Sequence, residues 1–341
     1  MSLQFIMGNS GSGKSYCLYD TVVREAIENP DKNYLVIVPE QFTMQTQKDL
    51  CLAHPKGGIM NIDVLSFGRL AYRVFEEVGQ DARVVLDDEG KNLVLRKIAG
   101  ECEKDLKVFK GNLKKQGYIS EVKSVLSEFA QYGVDFERLD DFMKEVPPES
   151  YLHYKLDDIR TIYEKFEEYL SEKYITKEEM LDVLSDAVPY SDILKGSVVA
   201  MDGFTGFTPV QNRLIGELFS VCEKVMITVT MDGRENPYVY EHPYQIFALG
   251  KQMVTSLMKI AGEKKTEIEE PICLFERPVY RFRDCSEMAF LETELFRYSG
   301  AKYNGSCESV SLHEVRSPGK EAKYVAESIR RLVRTKGYRY R

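Results

Sequence analysis

Residues 8–15 read GNSGSGKS and satisfy the pattern G-x-x-x-x-G-K-[ST] through Gly8, Gly13, Lys14 and Ser15. Few eight-residue stretches restrict a fold so tightly. The glycines let the backbone turn with its N–H groups facing one point, and a helix beginning at the lysine aims its positive end at the same point. The flanks agree: the apolar run LQFIM (3–7) precedes the motif and CLYDTVVREAI, apolar at helical spacing, follows it. Strand, glycine loop and helix in that order form the context the motif requires. The backbone from Asn9 through Ser10, Gly11, Ser12 and Gly13 to Lys14 is predicted to cradle phosphates. Lys14 is predicted to reach the β- and γ-oxygens, and Ser15 to ligate Mg2+. An ordinary Gly/Ser-rich turn shares the composition but lacks the flanks.

The flanking pattern continues. YLVIV (34–38) and IDVL (62–65) are further short apolar runs, each followed by an amphipathic stretch, as expected of βαβ units in a parallel sheet. From about 86 to 190 the period becomes helical, as in EVKSVLSEFAQY and HYKLDDIRTIYEKFEEYL, and strand-like runs vanish. Thr176 with Glu179 resembles a capping box, and Pro147-Pro148 separates two helices. SVVAM (197–201) and KVMITVT (224–230) restore the strand signal around a helix starting near Pro209. The expected fold is α/β: one parallel sheet domain, 1–85 and 191–305, interrupted by an all-helical insertion at 86–190. A further strand, ESVSLHEV, and a helix, GKEAKYVAESIRRLVRTKG, are expected within 306–341. A βα unit with no following strand reads as the start of a truncated second lobe.

Bulk properties narrow the function classes. A chain of 341 residues with 29% charged and 43% hydrophobic residues can bury a substantial core. No apolar run approaches the ~18 residues of a membrane span, and the N-terminus lacks a signal-peptide pattern. A cytoplasmic, membrane-free protein is expected. Seven scattered cysteines without a C-x-x-C pair, and four histidines without ligand spacing, point to reduced thiols and no zinc site. The net charge of −8 argues against binding nucleic acid by bulk electrostatics, so local basic surfaces are needed. One is the tail from Arg316 to Arg341, with nine basic residues against two acidic ones.

The second chemical requirement is an acid at the end of another central strand. SVVAM runs into Asp202, which fits a magnesium-associated role, although Asp-Gly is also a turn signal. Hydrolytic P-loop motors usually place Glu next, and position 203 here is Gly. Loss of a positioned base costs about 10²–10⁴ in rate, so negligible hydrolysis is expected and no catalytic residue is assigned. In open parallel sheets the ligand crevice lies outside the carboxyl ends of the strands. Three loops should converge there: PEQFT (39–43), SFGRLAYRVF after the third strand, and GFTGFTPVQ (203–211). Gln41 and Thr43 can hydrogen-bond to base edges. Phe204 and Phe207 can stack, and Arg69, Tyr72 and Arg73 share a helix face near Phe67, a combination that suits unpaired bases and their phosphates. Tyr and Arg on a solvated helix face are equally ordinary.

Taken together, MGNSGSGKS, VPEQFT, VLSFGRLAYRVF and MDGFTGFTPVQ resemble, in order and spacing, the N-terminal portion of the AddB (also RexB) family, one of the two chains of the bacterial ATP-dependent helicase/deoxyribonuclease. The resemblance implies a RecA-like, superfamily 1 helicase lobe with a degenerate motor and an AddA partner chain. It also implies processing of single- and double-stranded DNA in recombinational break repair, with recognition of a short Chi sequence. By motif position it assigns DNA contacts to Gln41, Thr43, Phe67, Arg69, Tyr72 and Phe207, with Tyr72 standing where relatives often have Trp. The family's nuclease and iron–sulfur cluster lie beyond residue 341, so none of these cysteines is assigned to it. Two other readings remain open: a P-loop small-molecule kinase, which would usually be compact with an Arg-rich lid, and a non-catalytic DNA- and partner-binding module.

Overall fold

The structure, a computed structural model, describes residues 1–79, 84–113, 115–170 and 173–340. The chain opens with β1 (Ser2–Gly8), α1 (Lys14–Glu28), β2 (Tyr34–Ile37), α2 (Thr43–Ala53), β3 (Ile62–Leu65) and α3 (Phe67–Val78). An excursion follows through β4 (Val84–Leu86), α4 (Asp88–Glu101), α5 (Gln116–Tyr132), α6 (Phe136–Glu145), α7 (Tyr151–Leu170), β5 (Tyr174–Thr176) and α8 (Glu179–Ala187). The chain returns in β6 (Val198–Met201), α9 (Pro209–Val221), β7 (Lys224–Thr230) and α10 (Ala248–Lys264), then the short β8 (Glu267–Ile268) and β9 (Ile272–Leu274). Last come α11 (Ser286–Glu294) and α12 (Pro318–Lys336). Two compact units result, Met1–Glu276 and Arg277–Arg341.

In the first unit every sheet pairing is parallel, in the order β3-β2-β6-β7-β1-β8, with β9 also on β1. This explains the sequence pattern: parallel strands are covered on both faces, so β2 and β6 are buried throughout and read as unbroken apolar runs. One face packs Leu3, Phe5, Leu35, Val199 and Ile227 against α3, α8, α9 and α10. The other packs Ile6, Val36, Ala200 and Met226 against α1. Because all strands run the same way, their carboxyl ends open on one rim.

The excursion has its own core, in which Leu95, Ile98, Leu126, Ile162 and Phe166 meet. It is not purely helical. Val84–Leu86 pairs in parallel with Tyr174–Thr176, a two-strand ribbon at the neck where the chain leaves and re-enters. Three-residue strands leave no legible period, so the expectation of no strands here is corrected. Thr176 and Glu179 do form reciprocal bonds, Thr176 N–H to Glu179 Oε2 at 2.7 Å and Glu179 N–H to Thr176 Oγ1 at 3.2 Å.

In the second unit the helix over 318–336 is present, ended by Gly337 at φ 72°. The strand expected at ESVSLHEV is not. Instead the N–H groups of Glu308, Ser309 and Val310 donate to the Glu287 carboxylate at 2.8, 2.7 and 3.1 Å. These bonds hold Glu287 below the usual carboxylate range, and Leu312 is fully exposed. An alternating apolar pattern makes a strand only where a neighbour supplies a ladder, and among the described residues none does. Arg341 lies outside the described residues.

Candidate functional site

The glycine loop leaves β1 at Gly8 and turns back at once, with Ser12 N–H donating to Asn9 O at 3.1 Å. Gly11 and Gly13 occupy the left-handed region (φ 85° and 98°), which only glycine adopts without strain. At Gly8 the reason is space: a β-carbon would collide with the Ser12 hydroxyl and lie 2.7 Å from the Leu274 carbonyl. α1 begins at Lys14, so its unpaired first-turn N–H groups face the loop. The Lys14 ammonium lies across the loop, donating to Gly8 O at 3.0 Å and Asn9 O at 2.9 Å. Ser12 Oγ is buried without a hydrogen-bond partner, while Ser10 and Ser15 are exposed and Asn9 is buried. The residues fit a polyphosphate: a cation held over the loop, an orphaned hydroxyl, and glycines that keep the backbone open.

Asp202 directly follows β6 and is 7% exposed. Oδ1 accepts from Thr228 Oγ1 at 2.6 Å and Oδ2 from Tyr19 Oη at 2.8 Å. Burial, then the Asp202 charge, pushes the Tyr19 hydroxyl far above its ordinary value. The acid is thus wired to α1, the helix that carries Lys14 and Ser15, and to β7, the strand lying between β1 and β6. Gly203, next along, sits at φ 79°, where a β-carbon would be 3.5 Å from Pro39.

Farther along the rim lies an open cleft of about 990 Å3. Gln41, Phe67, Arg69, Tyr72 and Phe204 line it. The sequence at 66 explains the geometry: Ser66 caps α3 by accepting from Arg69 N–H, and its hydroxyl donates to Glu40. Glu40 also pairs with Arg69 Nε at 3.3 Å, so a single carboxylate orients both the cap and the guanidinium. Tyr72, 55% exposed, projects freely. Phe67 is only 7% exposed and packs at 5.4 Å from Phe204 and 6.3 Å from Phe207. Thr43 is buried at the start of α2 and donates to Glu40 O at 3.0 Å, so it stands behind the cleft wall, as Phe207 does within the aromatic trio. The glycine loop and this cleft share the rim, but β7, β6 and β2 stand between β1 and β3, a separation of about 19 Å at the usual strand spacing.

The sequence profile of the family described as ADDB, N-terminal, matches residues 5–292. The chain belongs to this family. Its AddB-family relatives, each named as the B chain of an ATP-dependent helicase/deoxyribonuclease, include proteins of Lachnoclostridium phytofermentans, 42% identical, Thermoanaerobacter sp., 35%, and Clostridium tetani, 33%. Each alignment covers 100% of this chain but only 29–30% of the relative, so the chain spans under a third of the length of these relatives.

Sequence reasoning passed over part of the cleft. Lys177, just ahead of α8, and Met180 and Leu181 within it also line the cleft, in an element that begins more than a hundred residues after α3 ends. Nothing local marks them, because only the α3–α8 packing brings them in. Glu40 was visible in PEQFT, and its charge next to a cationic helix start was the available signal. Among the described residues no helix is long and apolar enough to cross a membrane.

Proposed function

We propose that this chain is the helicase-like N-terminal part of an AddB protein: a RecA-like lobe that binds ATP–Mg2+ at Gly8–Ser15 and single-stranded DNA in the cleft beside α3. Ser15 would hold the magnesium ion and Asp202 would stand near it through the nucleotide, the ion there neutralising phosphate charge. Within this reading the chain acts with an AddA helicase–nuclease partner on double-stranded ends and the strands unwound from them, in the cytoplasm, scanning for a Chi sequence during recombinational repair. The iron–sulfur cluster and nuclease belong to sequence outside this chain.

One observation carries the reading: an exposed tyrosine, a guanidinium and a carboxamide line one cleft at the same strand-end rim from which a glycine–lysine loop springs. Stacking surface, phosphate cation and base-edge donor form the set that unpaired nucleic acid requires. The family membership adds support independent of the geometry. A kinase reading finds no comparable support, since the insertion, where a lid would be sought, contributes Lys177 and α8 to this cleft instead.

The test is a fluorescence-anisotropy titration of single-stranded DNA at several salt concentrations. Binding is expected to weaken as salt rises, and Tyr72→Ala is expected to lose about 1–3 kcal/mol. Affinity unchanged by Tyr72→Ala would remove the stacking assignment.

A further inference from the structure

Beside the first cleft, where β7 ends, a second cavity of about 360 Å3 opens onto the rim. Phe204, Thr205, Thr230, Phe247, Leu249 and Met253 form its wall. Phe204 and Thr205 also line the first cleft, so the loop between β6 and α9 is a partition with a cavity on each side. The two cavities differ in chemistry. The first carries Glu40, Arg69 and Lys177, whereas no residue lining the second is charged. A phosphate entering the second would lose its hydration with no cation to replace it, and a neutral planar ring would not.

The details favour a base. Met253 at the floor is buried, at 4% exposure, while Leu249 at the mouth is 60% exposed. Two aromatic rings, Phe204 and Phe247, supply the stacking surface. Phe247 holds φ 61° just before α10, a conformation uncommon for a bulky residue and retained where its surroundings impose it. The Gln245 carboxamide is engaged by Glu241 and the His242 N–H. The hydroxyls of Thr205 and Thr230, in contrast, make no hydrogen bond within the described chain and remain for a base edge.

We propose that this cavity takes one unpaired nucleobase of the same strand whose neighbouring bases occupy the first cleft, with Phe204 dividing the two stacks. The proposal rests on the single-stranded DNA reading above. The rim supports the spacing: β3 and β7 are three strand intervals apart, about 14 Å. At about 3.4 Å per stacked nucleotide, roughly four nucleotides connect Tyr72 to Thr230.

Anisotropy titrations of the 341-residue chain with oligonucleotides of roughly three and roughly eight nucleotides test this, since only the longer can reach both cavities. The double variant Thr230→Val/Leu249→Ala is expected to bind the longer strand about tenfold more weakly and the shorter one unchanged. Tyr72→Ala is expected to weaken both. Oligonucleotides carrying 4-thiothymidine at successive positions should crosslink to residues 243–253 from one end only, a readout that needs no substitution. Full affinity of the double variant for the longer strand, or crosslinks confined to residues 39–72, would overturn the second cavity while leaving the first cleft standing. Absence of any binding, or indifference to Tyr72→Ala, would overturn the first reading and this one with it.

Discussion

At position 203 two constraints oppose each other. Chemistry would place a glutamate after Asp202 to position water, while the backbone there has φ 79°, in the left-handed region that favours glycine. Glycine satisfies the second demand and forfeits the first. On the proposed reading the missing base is set by the backbone of the loop, so one side chain is not expected to restore it. Gly203→Glu is expected to lower unfolding stability by about 1–3 kcal/mol through left-handed strain and to produce no ATP turnover. Denaturant titration and a steady-state phosphate-release assay check the two halves. Lys14→Ala, which removes the cation resting on Gly8 and Asn9, is expected to abolish nucleotide binding without a comparable stability loss. Robust turnover in the unaltered chain that disappears in Lys14→Ala would show that water is activated from elsewhere.

At the level of elements, α3 separates roles that its sequence interleaves. Leu70, Ala71 and Val74 are buried on the sheet, and Arg69, Tyr72 and Arg73 face solvent. Its start depends on Ser66, which accepts from Arg69 N–H and donates to Glu40. Ser66→Ala is expected to cost about 1 kcal/mol of stability as a lost cap and also to weaken DNA binding, because Arg69 loses the carboxylate's fixed position. Tyr72→Ala should weaken binding alone. Thermal melts run beside the DNA titrations distinguish the two, and equal melting losses in both variants would refute the division.

The same element shows what the sequence could convey. Its face pattern, its serine cap and the apolar strands β1, β2, β3, β6 and β7 were legible because each is written in neighbouring residues. That Phe67 turns inward was not, because its orientation is fixed by Phe204 and Phe207, contacts made across loops. The pairing of β4 with β5 and the arrival of Lys177 at the cleft were illegible for the same reason. ESVSLHEV failed in the opposite direction, since its local pattern was right for a strand while its N–H groups found a carboxylate.

Across the whole first unit, the insertion and the sheet meet at a polar seam around α8. Lys91 of α4 is buried and donates to Glu178 at 2.6 Å and to Ser127 at 3.2 Å. Glu167 of α7 bonds to Glu179, which in turn anchors Thr176. Burial first, and then the Glu179 charge and hydrogen bond, raises Glu167 from 4.5 to about 7. The sign follows from proton counting. Between about 4.5 and about 7 the folded chain keeps a proton at Glu167 that the unfolded chain has lost, so stability falls as pH rises through that window and levels off above it. Glu167→Gln retains the bond to Glu179 and never ionises. Denaturation curves across this window are expected to show the variant gaining on the unaltered chain with rising pH and holding a constant advantage beyond it. Parallel curves would mean the seam does not titrate. Because α8 also supplies Met180 and Leu181 to the cleft wall and packs on α3, ionisation at Glu167 is expected to loosen the mounting of the proposed DNA site. The pH dependence of DNA affinity should then flatten in the same variant.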